Sequence, residues 1–167
     1  MGIRREARER ALQFLFQCDL NPPEDFEAAL RAFWERTEKA RGKSQADSEE
    51  GPSTREAATR LFAEQLIRGV WARREEVDRR IRSLLRNWDL RRLATVDRNV
   101  LRLAVHEMLH RMDIPPVVSI NEAVEIAKKY STEDSGKFVN GILDSLRKEL
   151  MRPARTAEEG APPEGRS

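Results

Sequence analysis

Apolar side chains recur every three or four positions along most of the chain, and no segment alternates apolar and polar residues over a strand length. This period is typical of amphipathic helices and predicts no β-strand. Asn21-Pro22-Pro23 should end the first helix, and Pro115-Pro116 should end the central one. We expect helices over about 4–20, 24–38, 54–86 (continuous or broken at Gly69), 95–114, 119–130 and 134–151.

Two segments lack this pattern. Residues 39–53 contain two glycines and no large apolar side chain, which predicts a flexible insert. Residues 153–167 are rich in Pro, Gly and Glu, which predicts a disordered tail. Ser119 and Glu122 form an S-x-x-E capping box, which predicts a helix start at Ser119. Because the helical pattern ends where this tail begins, we expect a single all-α helical domain over residues 1–152.

The helical period also predicts which faces are buried. The helix from Thr95 is apolar over roughly half of its circumference, which favours a position in the middle of a bundle. Phe16 falls near the outer side of the first helix. The inward positions of that helix are Ala7, Ala11, Leu15 and Cys18.

Composition narrows the class of protein. The 31 basic residues nearly balance 29 acidic ones, but 25 of the bases are Arg, which suits bidentate phosphate contacts. A single cysteine, Cys18, excludes an internal disulfide and a cysteine-based zinc site. The arginine-rich N-terminus lacks the apolar stretch of a secretory signal, and no apolar run approaches a membrane span of ~20 residues. We expect a cytoplasmic protein without membrane contact.

Two segments could bind nucleic acid. The first is the cluster Arg4, Arg5, Arg8 and Arg10, with Phe16 further along the same helix as a stacking surface. The alternative is a solvated helix end that Glu6 and Glu9 partly neutralise. The second is the helix start Asp134-Ser135-Gly136-Lys137-Phe138-Val139-Asn140-Gly141. Free N–H groups, Lys137, Asn140 and Phe138 could contact phosphate and base there, although ordinary capping and core packing explain the same residues.

Other patterns carry less weight. His106-Glu107-Met108-Leu109-His110 matches the H-E-x-x-H zinc-protease motif, with Glu122, Glu125 or Glu133 as a conceivable third ligand. Glu107 projects onto the apolar stripe and no strand is predicted, so we favour a chance match. Nine arginines between Arg68 and Arg92 favour a salt-bridged, solvated helix face. No nucleotide-binding glycine motif or catalytic triad is found, so we expect no catalytic residue, no metal and no cofactor.

Three stretches resemble the family of bacterial transcription antitermination factors called NusB: RREARERALQFLFQCDL, NWDLRRLATVDRNVLRLAVHEML and INEAVEIAKKYSTEDSGKFVNGILDSL. The resemblance implies about seven helices in two packed three-helix subdomains and no enzymatic activity. It also implies binding of single-stranded boxA RNA together with the ribosomal protein NusE. That complex would act with RNA polymerase in read-through of terminators, notably in ribosomal RNA operons. Monomer and homodimer both stay open.

The resemblance also assigns residues. Its RNA-binding positions fall on Arg4, Arg5, Arg8, Phe16, Asp134, Ser135, Gly136, Lys137, Phe138 and Asn140. Phe16 stands where the family usually has Tyr, so the hydroxyl is lost. The NusE-facing acidic position falls on Asp97. We expect the arginine cluster and the last helix start to form one RNA-binding face. The alternatives are a protein-binding scaffold without RNA, a zinc hydrolase, or the RNA-binding domain of a ribosomal RNA methyltransferase.

Overall fold

The computed structural model describes residues 2–44, 54–86 and 88–151, and all of its regular structure there is helical. This confirms the predicted all-α class. A short 3₁₀ turn at Leu90–Arg92 lies between the fourth and fifth helices. The seven helices are α1 (Ile3–Leu20), α2 (Phe26–Ser44), α3 (Thr54–Ala72), α4 (Arg74–Leu84), α5 (Thr95–His110), α6 (Pro116–Tyr130) and α7 (Glu133–Leu150).

Helix α5 is the centre of the bundle, as its broad apolar face predicts. It packs against α1, α3, α4, α6 and α7. Helices α1–α3 form one group of three, in which α1 packs against α3 and α2 contacts both. Helices α5–α7 form another, and the groups meet where α1 and α3 lie on α5. In the first group, Phe14 makes edge contacts with Phe26 and Phe33, whose ring centroids lie 5.7 and 5.4 Å away. These contacts hold α2 against α1.

Two predicted boundaries are wrong. Helix α2 continues to Ser44, so residues 39–44 of the predicted insert are helical, while 45–53 and the tail 153–167 lie outside the described residues. The interruption between α3 and α4 falls at Arg73 and not at Gly69. Gly69 stays helical because the imidazole of His106 lies directly against it, in the space that a β-carbon would need. Tertiary packing outweighs the weak helix propensity of glycine here.

The predicted capping box is also wrong. Helix α6 begins earlier, at Pro116, because a proline has no N–H to lose at a first helical position. Ser119 and Glu122 therefore lie inside the helix and make tertiary contacts. The Ser119 hydroxyl donates to Glu107 Oε1 at 3.3 Å, and Glu122 accepts two hydrogen bonds from Arg5 at 2.6 and 2.9 Å.

The first helix faces inward as predicted. Ala7, Ala11, Leu15 and Cys18 are all buried. Burial raises the pKa of the Cys18 thiol to about 11, with a smaller contribution from the charge of Asp19. The thiol is therefore neutral at physiological pH and is a packing group.

A buried ion pair joins three helices. The guanidinium of Arg8 in α1 donates to both carboxylate oxygens of Glu107 in α5, at 2.9 and 2.7 Å. Only 4% of Arg8 and 1% of Glu107 are exposed. Ser119 of α6 donates to the same carboxylate. Because the charges are enclosed, each stabilises the structure only while the other is present.

We expect Arg8→Met to lower the free energy of unfolding by about 3–5 kcal/mol, since it leaves the Glu107 carboxylate buried and unpaired. The control is Arg4→Met, because Arg4 is half-exposed and lies 3.8 Å from Asp113. It should cost at most ~1 kcal/mol. Urea denaturation measures both, and Arg8→Met combined with Glu107→Met should recover part of the loss. Equal losses in the two single variants would contradict the argument.

A second prediction concerns acid stability. Burial, followed by the nearby charges of His110, Arg73 and Arg111, lowers the pKa of His106 to about 4. The unfolded chain binds this proton below about pH 6.5, whereas the folded chain does not until near pH 4, so stability falls as pH is lowered. Between pH 7 and 5 we expect a loss of about 2 kcal/mol from this residue. His106→Leu should abolish that loss in urea denaturation, and an unchanged pH dependence in the variant would refute the assignment.

Candidate nucleic-acid interface

The start of α7 combines exposed polar side chains with a buried framework. Thr132 caps the helix, and its hydroxyl oxygen accepts from the Ser135 N–H at 3.0 Å. Ser135 and Gly136 are buried, Phe138 is half-buried, and Lys137 and Asn140 are exposed. Lys137 and Asn140 lie three residues apart and so share one face of the helix. This face presents a positive charge and an amide to solvent, beside the exposed Asp134.

Two elements flank this face. On one side, the side chain of Lys128, near the end of α6, lies so close to Gly136 that an added β-carbon would be 2.7 Å from its Cγ. On the other side, Phe138 meets the indole of Trp88 edge-on, with ring centroids 6.4 Å apart. A β-carbon at position 136 would therefore force the Lys128 side chain to shift. The face lies between a lysine and an exposed tryptophan.

The end of α6 also contacts α1. Lys129 Nζ lies 2.7 Å from Glu9 Oε1, and the contact raises the pKa of Lys129. A shallow cleft opens beside this pair, lined by Glu6, Glu9, Arg10, Gln13 and Tyr130. Sequence reasoning missed Gln13 and Tyr130. The signal was available, since Tyr130 is the sole tyrosine of the chain and ends a helix just before the α7 cap.

The structure brings only part of the arginine cluster towards the start of α7, since Arg10 lines the same cleft as Tyr130. Arg8 is buried on Glu107 and only 4% of it is exposed, so its guanidinium does not face solvent, and its contact with RNA stays a prediction. Ser135 instead meets Asp97, and Asp97 precedes Glu107 by ten residues of α5, which is about 15 Å. Arg8 of the predicted arginine cluster and Ser135 of the predicted helix start therefore contact α5 at different positions along its axis.

The other members of the cluster have partners too. Arg4 lies over the Phe62 ring at 4.9 Å, and Arg5 binds Glu122 through two hydrogen bonds, which lower the pKa of the Glu122 carboxyl. Phe16 is half-buried and lies one helical turn beyond Gln13. Phe16 thus lies beside the face of α1 that lines the Tyr130 cleft, and Arg10 lines the cleft itself.

Asp97 links α5 to the start of α7. Its Oδ2 accepts from the Ser135 hydroxyl at 3.1 Å. Its Oδ1 is buried and has no hydrogen-bond partner among the described residues. A buried carboxylate oxygen without a donor is costly, so this junction is less stable than one in which both oxygens are bonded.

The H-E-x-x-H motif is structural. Glu107 binds Arg8, His110 Nε2 lies 2.9 Å from Glu76 Oε1, and His106 is buried against Gly69. In the described part of the chain, no group of three or more His, Cys, Asp or Glu side chains could hold a metal ion. No helix within those ranges is long and apolar enough to span a membrane.

The prediction of a salt-bridged arginine face is wrong in part. Two acidic residues of this stretch bind elsewhere, because Asp78 pairs with Arg102 and the Asp89 side chain caps the 3₁₀ turn. Arg68 and Arg80 do form ion pairs, with Glu27 and Glu149. Within residues 54–86 and 88–151, seven exposed arginines of the stretch form no ion pair with a described acidic residue: Arg73, Arg74, Arg79, Arg82, Arg86, Arg91 and Arg92.

Comparison with known proteins agrees with this architecture. The transcription antitermination protein NusB of Methylacidiphilum infernorum is 44% identical over 154 residues, which cover 92% of this chain and 96% of that protein. The NusB of Symbiobacterium thermophilum is 43% identical over 156 residues, which cover 93% of this chain and 95% of that protein.

Solved structures match as well. NusB from T. maritima aligns with a TM-score of 0.69 and 41% identity, covering 87% of this chain and 91% of that chain. A crystal structure of the antitermination factors NusB and NusE in complex with dsRNA aligns with a TM-score of 0.66 and 28% identity. The alignment covers 89% of this chain and 98% of that chain. A model of the NusB family matches residues 5–148. The chain therefore belongs to the NusB family.

Proposed function

We propose that this protein is a transcription antitermination factor that binds single-stranded boxA RNA together with the ribosomal protein NusE. In this role it promotes read-through by RNA polymerase, notably in ribosomal RNA operons, and it acts by binding and not by catalysis. The observation that carries the proposal is the solvent-exposed pair Lys137 and Asn140 at the start of α7, in a chain whose family includes a NusB solved with NusE and RNA.

The chemistry of this face suits an unpaired strand. Lys137 supplies a point charge for a phosphate, and the Asn140 amide can donate to and accept from a base edge. The half-buried rings of Phe138 and Phe16 and the exposed ring of Tyr130 offer surfaces on which bases can stack. Arg8 has a positioning role, since it fixes α1 on α5 and does not reach solvent.

Asp97 supports the proposed contact with NusE. Its Oδ1 lacks a donor, while Ser135 holds its Oδ2 and so connects it to the proposed RNA face. A donor from NusE to the half-buried Asp97 side chain would stabilise the same α5–α7 junction that RNA contacts. The two ligands would then bind cooperatively, each increasing the affinity for the other by the same factor.

The RNA face is tested with Lys137→Ala, which should weaken binding of a 12-nucleotide single-stranded boxA RNA by about tenfold at ~0.1 M salt, because one phosphate contact is lost. Lys148→Ala is the matched control, since Lys148 is an exposed lysine near the other end of α7, beside Asp144. It should change the affinity less than about twofold. Fluorescence anisotropy measures both, with scrambled and duplex RNA in parallel.

Equal affinities of the two variants would rule out the α7 start as the RNA site. Tighter binding of duplex RNA than of single-stranded RNA would rule out the proposal that this face binds an unpaired strand. A chain that binds NusE but no RNA would be a protein-binding scaffold instead.

The NusE contact is tested with Asp97→Ala, compared with Asp134→Ala on the exposed face of α7. Loss of the carboxylate at position 97 removes the acceptor for a NusE donor, so the affinity for NusE should fall at least tenfold by calorimetry. Asp134→Ala should leave NusE binding unchanged. If both variants bind NusE as the wild type does, Asp97 is not part of the interface.

A further inference from the structure

The outer face of α4 and the residues that follow it are strongly basic. Arg79 and Arg82 are exposed and lie three residues apart on one side of α4, and the exposed Arg86 follows just after the helix ends at Leu84. That side is opposite the buried Val77 and Ile81. The exposed arginines Arg91 and Arg92 of the 3₁₀ turn come next along the chain. We call these five residues the arginine row.

The arginine row lacks counterions. None of its side chains forms an ion pair or a hydrogen bond within the described ranges. Most other arginines on the described surface do, as the pairs Arg60–Glu38 and Arg68–Glu27 illustrate. Like charges on one surface repel one another, and an anionic ligand relieves this repulsion. A polyanion does so while releasing its own counterions, which makes its binding favourable.

The row leads towards the start of α7. Arg80 Nη2 lies 3.0 Å from Glu149 Oε2 near the end of α7, whereas Trp88 contacts Phe138 near its start. Helix α4 thus runs antiparallel to α7, over about 16 Å. An RNA strand that follows the arginine row reaches Trp88, which contacts Phe138. Lys137 is the residue before Phe138, so the RNA strand would arrive beside Lys137.

Trp88 stands out among the three tryptophans. Trp34 is buried and Trp71 stacks on Phe26, but 61% of Trp88 is exposed. An exposed indole between arginines and Lys137 is suited to stack on an unpaired base. A basic groove interleaved with aromatic rings is the usual arrangement of single-strand binding surfaces.

We propose that the arginine row and Trp88 form a second RNA-binding surface, which holds nucleotides flanking the element bound at α7. The inference rests on the proposed function, because it extends the same strand beyond that site. The arginines contact phosphates and set little sequence preference, and Trp88 stacks on a base where the strand passes from α4 to α7. The affinity for RNA should therefore increase with the length of flanking sequence.

The test compares a 12-nucleotide boxA RNA with a 24-nucleotide RNA that adds flanking sequence, both bound by the full chain. The variant Arg79→Gln/Arg82→Gln/Arg86→Gln should bind the longer RNA at least tenfold more weakly than the wild type. The slope of log K against log salt should fall by about 2 for three lost phosphate contacts. Binding of the 12-nucleotide RNA should change less than about threefold.

The matched control is Arg31→Gln/Arg36→Gln/Lys39→Gln, which removes three exposed positive charges from α2. It should leave the affinity for both RNAs and the salt slope close to wild type. A second readout is tryptophan fluorescence. The 24-nucleotide RNA should quench the emission of the wild type, and Trp88→Phe should abolish the quenching, because Trp34 and Trp71 are shielded.

The outcomes separate this inference from the proposed function. If the α4 variant and the α2 control bind the 24-nucleotide RNA alike, or if Trp88→Phe is quenched as the wild type is, the second surface is refuted. The proposed function then stands as long as Lys137→Ala still lowers the affinity for the 12-nucleotide RNA. Failure of the wild type to bind either RNA refutes both. An α4 variant that keeps RNA binding but loses NusE would identify a protein interface and overturn the inference.

Discussion

The architecture depends on one enclosed charge pair, Arg8 and Glu107. A guanidinium on α1 and a carboxylate on α5 are both buried, and a hydroxyl on α6 adds a further donor. The cost of desolvating two charges is offset only by close, multiple hydrogen bonds, so the pair tolerates little displacement. It fixes the relative positions of three helices and, through them, the position of α7. The start of α7 is therefore held by a framework whose key residues never touch solvent.

This framework explains how an apparently basic N-terminal arm can be structural. Arg4, Arg5 and Arg8 use their charges on Asp113, Glu122 and Glu107. The arginines that keep their charge available are those on α4 and the 3₁₀ turn, where nearby carboxylates bind other partners. Judged by local composition alone, the start of α1 and the stretch from α4 to the 3₁₀ turn are both simply rich in arginine. Which arginines are free is decided by the position of the acidic side chains in three dimensions.

Helical class, most helix bounds and the inward face of α1 followed from periodicity, because burial of an apolar stripe dominates helix placement. The exceptions have specific causes. The Ser119–Glu122 pair had the spacing of a capping box, but Pro116 starts the helix one turn earlier. Gly69 looked like a breaker, but His106 needs the space it leaves. No single-sequence pattern reveals that Glu107 faces Arg8, since the partners are 99 residues apart. The start of α7 was proposed as a binding face from its residues, because Lys137 and Asn140 lie on one helical face.

The most direct measurement is an NMR titration of the ¹⁵N-labelled chain with single-stranded boxA RNA, in which amide shifts map the contact surface. The account predicts the largest changes at residues 134–140, with a continuous set at 128–130. Large changes confined to the first two turns of α1, with residues 134–140 unmoved, would contradict it.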